Sequence, residues 1–414
     1  MEFTKQRKQV VVLYISTLLG VLLGVLSSII NTRFLDTVSY GDVRYVQNII
    51  NFIASLLLFG YFLSGSRLLA LSDKEDFSRR LRGSMIVILG IAGIVLIISC
   101  LACYFIHFNS NPVVAQLFLI SIPVCLSPLL SNYINTTAQG DNHIGRLSLT
   151  RLLPLAVYIP LAYLVFIKTG ASSAKMMLLQ LGTQTLVFAA IIYSTHPTFN
   201  NLKPIFRELN RENKDYGFQL YLGSLVMVAT NYIAGITISM VNQDNSEVGY
   251  YTLALTVTSP LAMLPAIIGT TFFKKFAKEK QIPAKIMKYS LLLTVVSCIA
   301  FILIIKPVVM FIYSERYASV GTYAMWLAIG FSIHGFGDML NRYLGSHGQG
   351  RSIRNSSVLN GLFKVFGFTV LVYYLNTIGA LLTNVICSII YCGSLLYYYN
   401  KFINNFEPLE GCKA

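Results

Sequence analysis

The chain of 414 residues is 55% hydrophobic and only 12% charged, with a mean hydropathy of +0.64. Soluble domains carry about a quarter charged residues, so this composition excludes an ordinary water-soluble globular protein. The net charge of +15 does not call for nucleic acid, because the cations gather in one set of loops where anionic membrane lipid accounts for them.

A bilayer core of about 30 Å needs roughly 20 mostly apolar helical residues, and twelve runs meet that requirement. The first, 9–31, follows the basic segment MEFTKQRKQ. It is too long for a signal-peptide core and lacks a cleavage site, which predicts a retained first span. Its Gly20, Gly24 and Ser28 have the small-residue spacing that lets membrane helices approach closely. The next spans are expected over 45–65, 84–106, 112–135, 147–167 and 174–194. The second half is expected to supply 218–240, 249–272, 288–306, 319–341, 355–375 and 377–399. Pro123, Pro128, Pro154, Pro160, Pro260 and Pro265 fall inside spans, where neighbouring helices can satisfy the freed backbone groups. The CxxC of Cys100 and Cys103 sits in the apolar run IVLIISCLACYF. Without a second ligand pair it reads as small packed hydrophobes rather than a metal or redox site. No lipidation motif is present.

Loop cations set the orientation. With the N-terminus inside, about 25 of the 32 Lys and Arg fall in inner segments and about six outside, so both termini are expected in the cytoplasm. The longest outer loop, 31–44, has about 14 residues by this division. A membrane glycosyltransferase, ligase or polymerase working outside would need more room and acidic or histidine residues there.

The chain repeats itself. SYGDVRYVQNIINFIASLLLFG and SEVGYYTLALTVTSPLAMLPAIIG begin the second and eighth spans, aligning Gly41 with Gly249. NYINTTAQGDNHIG and RYLGSHGQGRSIRN align Tyr133, Gln139 and Gly140 with Tyr343, Gln349 and Gly350. Both pairs share an offset of about 210 residues, which predicts two six-helix halves of the same orientation. The expected organisation is a first bundle over 1–200, a cytoplasmic linker over 201–217 and a second bundle over 218–414. Transporters use the interface of such halves for substrate and rock them for alternating access.

On YGDVRYVQ, AQGDN, GQGR and VGYYTLALTVTSPLAMLPAIIGTTFFKKFA, the sequence resembles the Wzx-type polysaccharide flippases of the multidrug/oligosaccharidyl-lipid/polysaccharide exporter (MOP) superfamily. The resemblance spans most of the chain. It implies an all-α polytopic membrane protein, with twelve helices in two pseudo-symmetric bundles. It implies that this protein is no enzyme but moves a polyprenyl-pyrophosphate-linked oligosaccharide, as for O-antigen, between leaflets of the bacterial inner membrane. It implies no cofactor, a proton or sodium gradient as the driving force, and a polysaccharide polymerase and chain-length regulator as partners. A multidrug exporter of the same superfamily and a polysaccharide polymerase are the alternatives.

A flippase must carry phosphate charge and sugar hydroxyls through hydrocarbon. That requires cations, and amides and hydroxyls in place of water. Arg44, Asn48, Asn51 and Ser55 share one face of the second span. This face either lines a cleft or makes interhelical hydrogen bonds. Arg33 and Arg44 can contact substrate or snorkel to headgroups; Arg67 can do so or anchor the helix end; Asn231 is a further substrate candidate. In the tenth span His334, Asp338 and Arg342 share a face and form either an ion-coupling relay or a helix-end anchor. Lys364 falls near the middle of the eleventh span. A cation there is expected to face an aqueous cavity or a carboxylate, Asp338 being the nearest acid in sequence, and serves as a substrate-facing or coupling charge.

Overall fold

The computed structural model describes the backbone of residues 2–404 except 73 and 142. It describes their side chains apart from 2–11, 13, 14, 223, 224, 226–229, 231 and 274. Packing groups the chain into two compact units, Met1–Gly249 and Tyr250–Ala414.

The first unit contains α1 (Glu2–Phe34), α2 (Thr37–Leu56), α3 (Tyr61–Leu71), α4 (Glu75–His107), α5 (Pro112–Ser121) and α6 (Ser127–Gly140). It continues through α7 (Ile144–Thr169), α8 (Ser173–Tyr193), α9 (Leu202–Glu212), α10 (Phe218–Val241) and the first turn of α11 (Ser246–Thr271). The second unit holds the rest of α11, then α12 (Phe273–Phe276), α13 (Ala284–Tyr313), α14 (Ala318–Ser346), α15 (Gly350–Phe366) and α16 (Val372–Asn404). The segment 201–217 is itself helical: α9 is followed by a π-helical turn, Asn213–Gly217, and both pack in the first unit. So does α10, which lies against α2.

Among the described residues, seven helical stretches are long and apolar enough to cross a bilayer, or nine if two bent pairs each form one span. One of the seven, Gly350–Asn404, breaks at Asn376, where φ is 51° and ψ −140°. With α10 and α14 as further long helices, the arrangement is compatible with twelve crossings. The protein is a multi-pass membrane protein. Phe105, Leu186, Leu303 and Phe311 expose more than half of their surface, a cost that hydrocarbon removes and water does not.

Three spans differ from the straight helices expected. The second is α2 and α3, bent by 59°. Phe59 (φ 44°) and Gly60 (φ 81°) have left-handed backbone, and a Cβ on Gly60 would collide with the Gly217 backbone. The carbonyls freed by the break find donors in the same unit. Tyr221 Oη donates to Leu56 O at 2.8 Å, and Asn213 Nδ2 to Phe59 O at 3.1 Å. The fourth span is α5 and α6, bent by 42° where Pro123 and Pro128 remove backbone donors. Thr185 Oγ1 donates to the freed Val124 O at 3.0 Å. The eleventh passes through a π-helical turn, Gly367–Leu371. The expected outer loop over 31–44 is also shorter. Only Leu35 and Asp36 separate α1 from α2, and Asp36 caps α2 by accepting from Ser39 N.

Of the small residues singled out in α1, Gly20 lies against Arg151 of α7, a Cβ on Gly24 would meet nothing within 4 Å, and Ser28 donates to Val25 O of its own helix. Ser16, one turn before Gly20, donates to Ser148 of α7 at 2.8 Å. Cys100 and Cys103 are free thiols in α4, and Cys100 is fully buried. The two tyrosines that align in the sequence have like surroundings. Tyr133 of α6 and Tyr343 of α14 are both fully buried, and each donates to a backbone carbonyl: Arg82 O for Tyr133, Lys280 O for Tyr343.

Candidate functional site

The first unit encloses a polar cavity of about 260 Å³. Asn51 and Ser55 of α2 line it with Ser127, Ser131, Asn132 and Asn135 of α6, Gln184 of α8 and Tyr232 of α10. The cavity exists because two helices bend beside it. The α2–α3 break turns Leu58 toward it, and the α5–α6 bend brings Ser127 and Pro128 to its wall. Among the described residues its lining offers amides and hydroxyls and no ionised group. Asn51 Nδ2 donates to Gln47 O at 2.7 Å, and Asn135 Nδ2 to Ser131 Oγ at 3.3 Å. Ser127 is 1% exposed, yet its Oγ has no hydrogen-bond partner among the described residues. That oxygen is shielded within the wall, so the groups that can meet an occupant are the amides and hydroxyls of the other lining residues.

The sequence placed four residues on one face of α2, and the structure gives them different surroundings. Asn51 and Ser55 reach the cavity, whereas Asn48 lies against Gly235 of α10. Arg44 donates to Tyr40 Oη at 2.8 Å and to Gln47 Oε1 at 2.9 Å. Gln47 continues to Gln180 of α8 at 3.2 Å, so Arg44 sits at the end of a chain of polar contacts joining α2 to α8. Arg33 is exposed in the last turn of α1. Arg67 pairs with Glu212 of α9 at 2.6 Å and covers the Tyr216 ring at 4.6 Å, which fastens α3 to the 201–217 segment. The side chain of Asn231 lies outside the described residues.

The second unit holds the other group. Asn341 donates to Tyr391 Oη at 2.8 Å, and Tyr391 donates to Asp338 Oδ1 at 3.0 Å. The His334 ring stacks on Tyr391 with centroids 4.5 Å apart. Lys364 comes within electrostatic range of Asp338, His334 and Cys387, and among the described residues it makes no contact ion pair. Lys364 therefore faces the α14–α16 side rather than lipid. Ser356 and Asn360 stand on its face of α15 at four-residue intervals. Both are buried, and Ser356 Oγ and Asn360 Oδ1 have no partner among the described residues. The π-helical turn begins three residues beyond Lys364, a distortion often found at functional sites. Arg342 diverges from this group: its side chain is exposed and its stem packs on Gly269 of α11.

Sequence reasoning missed Ser127, Gln184, Ser356, Asn360 and Tyr391. A signal existed for Ser356 and Asn360, which share the helical spacing of Lys364. None existed for Ser127 or Gln184, which reach the cavity only through packing.

These features can be set beside known proteins. The sequence profile of the family described as "Polysaccharide biosynthesis protein" matches residues 7–278, about two-thirds of the chain. Comparison with curated proteins gives no match. Among solved structures, the chain is similar to the lipid II flippase MurJ in an inward closed conformation, with TM-score 0.77 at 16% identity over 95% of this chain and 89% of that one. It is similar to a multidrug resistance MATE family transporter of the MOP superfamily in its inward-facing conformation, with TM-score 0.65 at 16% identity over 94% and 96%. A MOP superfamily transporter from Pyrococcus furiosus gives TM-score 0.59 at 15% identity over 95% and 96%. The all-helical fold is thus the one shared by MurJ and the MATE transporters. By its sequence, the chain belongs to the polysaccharide biosynthesis protein family.

Proposed function

We propose that the protein flips a polyprenyl-pyrophosphate-linked oligosaccharide, the repeat unit of O-antigen or a related surface polysaccharide, across a bacterial inner membrane. The head group moves from the cytoplasmic to the periplasmic leaflet by alternating access, with both termini in the cytoplasm. The observation that carries this reading is the polar cavity, lined among the described residues by amides and hydroxyls without an ionised group. Amides and hydroxyls replace water around sugar hydroxyls at low cost. A multidrug exporter taking apolar cations would gain little from this lining, and a polymerase would need catalytic groups that a two-residue connection between α1 and α2 does not carry. The family match and the flippase and transporter folds support the same choice.

A driving step is proposed for the second unit. Asp338, held by Tyr391, on whose ring His334 stacks, takes up and releases a coupling cation, with the Lys364 charge nearby favouring release. The ion is a proton or sodium. Lys364 is assigned to this step rather than to substrate.

The test is the leaflet distribution of single lipid-linked repeat units in a strain lacking the gene. Build-up on the cytoplasmic side, reversed by the gene, is expected. Unpolymerised units reaching the periplasmic side would sink the flippase reading and favour polymerisation.

A further inference from the structure

The α2–α3 break has a second side. Leu58 lines the polar cavity, but its neighbours Leu57 and Phe59 line an apolar groove of about 330 Å³ on the outside of the same unit. Ile91 and Val95 of α4 form its wall, and Phe206 of α9 closes one edge. Ile91, Ile94 and Ile98 of α4 are each about 60% exposed, so this face of a membrane span meets hydrocarbon and the groove opens onto it. Hydrocarbon is therefore its natural filling.

The surroundings narrow the choice of chain. Lys203, Arg207 and Arg211 are exposed on α9 at four-residue intervals, one residue from the groove-lining Phe206 and Asn210 in the case of Arg207 and Arg211. They form a cationic stripe beside an apolar slot. The nearby Glu212 is engaged by Arg67, which leaves the stripe positive apart from Glu208. A chain ending in phosphate satisfies both elements.

We propose that this groove seats the isoprenoid chain of a polyprenyl phosphate, with its phosphate against the cations of α9. The α2–α3 break would then separate tail from head: the chain outside against Leu57 and Phe59, the sugars inside beside Leu58. This rests on the flippase reading and assigns its lipid tail a place. The break is held by Asn213, in the turn that follows α9, and by Tyr221 of α10, so an occupant of the groove lies against the helix that leads directly into the residues shaping the break.

The experiment uses the full chain in nanodiscs of phosphatidylethanolamine and phosphatidylglycerol doped with radiolabelled polyprenyl monophosphate. Benzoylphenylalanine is placed at Ile91 or Val95 in the groove, and at Leu186 of α8, 73% exposed, as a reference. Retention of the probe through purification is read in parallel. The groove positions should capture polyprenyl phosphate about tenfold above its mole fraction, and Leu186 in proportion to it. Ala92→Trp, which fills the groove, should abolish the enrichment, as should Lys203, Arg207 and Arg211 changed together to Gln. Capture of bulk lipid in proportion, or enrichment of phosphatidylglycerol instead, overturns the proposal. Retention of polyprenyl phosphate without enrichment at Ile91 or Val95 removes the groove but leaves the flippase reading intact. No retention at all removes both.

Discussion

Gly41 and Gly249, equivalent positions in the two sequence repeats, lie against each other in the first unit. A Cβ on Gly249 would stand 3.4 Å from Gly41 Cα and 3.1 Å from the Tyr40 ring, while one on Gly41 would run into the Asn245 backbone. Beside them Asn245 Nδ2 donates to Asp42 Oδ1 at 2.7 Å. The first turns of α2 and α11 thus meet through their glycines. Gly41→Ala should cost about 1–3 kcal/mol from overpacking, because the obstacle is backbone. Gly249→Ala should cost less, since the ring of Tyr40 can yield. Thermal unfolding in detergent, followed by size-exclusion recovery, ranks the two. Equal shifts would show that the close approach is not what requires glycine.

Two ion-pair sites should respond very differently to truncation. Asp141 is 9% exposed and accepts from Arg82 at 2.8 Å and Arg146 at 3.0 Å, joining α4 and α7. Removing it strands two cations in a partly buried site, so Asp141→Ala should lose about 3–5 kcal/mol. The Arg67–Glu212 pair has an arginine 46% exposed, and Arg67→Ala should lose no more than about 1 kcal/mol. The same thermal assay decides. A large loss at Arg67 would mean that fastening α9 matters more than solvent screening allows.

The cavity makes a prediction that separates ligand binding from architecture. Ser127→Ala deletes a hydroxyl with no partner among the described residues, so stability should stay level or rise by about 1 kcal/mol. Flipping of the lipid-linked substrate should be unchanged, because that oxygen is shielded from the cavity. Asn51→Ala should lower both, because Asn51 also bonds Gln47 O. Asn51→Ala with unchanged transport would place the substrate elsewhere.

The second-unit cluster can be dissected in the same way. Tyr391→Phe strands Asn341 and Asp338 and should cost about 1–3 kcal/mol. Asp338→Asn keeps an acceptor for Tyr391 and should fold normally, but should uncouple transport from an imposed proton or sodium gradient. Lys364→Met removes a cation that makes no contact pair, so thermal stability should hold while gradient dependence changes. Should Lys364→Met destabilise as much as Tyr391→Phe, the lysine would be structural rather than functional.

How much of this was written in the chain varies by kind of information. The membrane-spanning character of the helices followed from run length, and the expected boundary between the eleventh and twelfth falls at the Asn376 break, whereas the expected second span, 45–65, straddles the break between α2 and α3. Lys364 was legible as a residue turned away from lipid, because a cation in hydrocarbon needs a polar neighbour wherever it sits. The spacing of Asn48, Asn51 and Ser55 predicted a polar face but not its uses. Which of them touches Gly235 and which reaches the cavity depends on α10 and α6, elements remote in sequence.

By itself, then, the sequence determined the solvent, the fold class and the spacing of residues along each helix. These depend on how each residue partitions between water and lipid, and on periodicity within a single helix. Only the tertiary structure decided that α2 breaks at Phe59, that Asn213 holds the break open, and that a polar cavity and an apolar groove share it. Asn213 is 154 positions from the carbonyl it satisfies. No local pattern encodes such a pairing, because the donor is chosen by packing after the helices have formed.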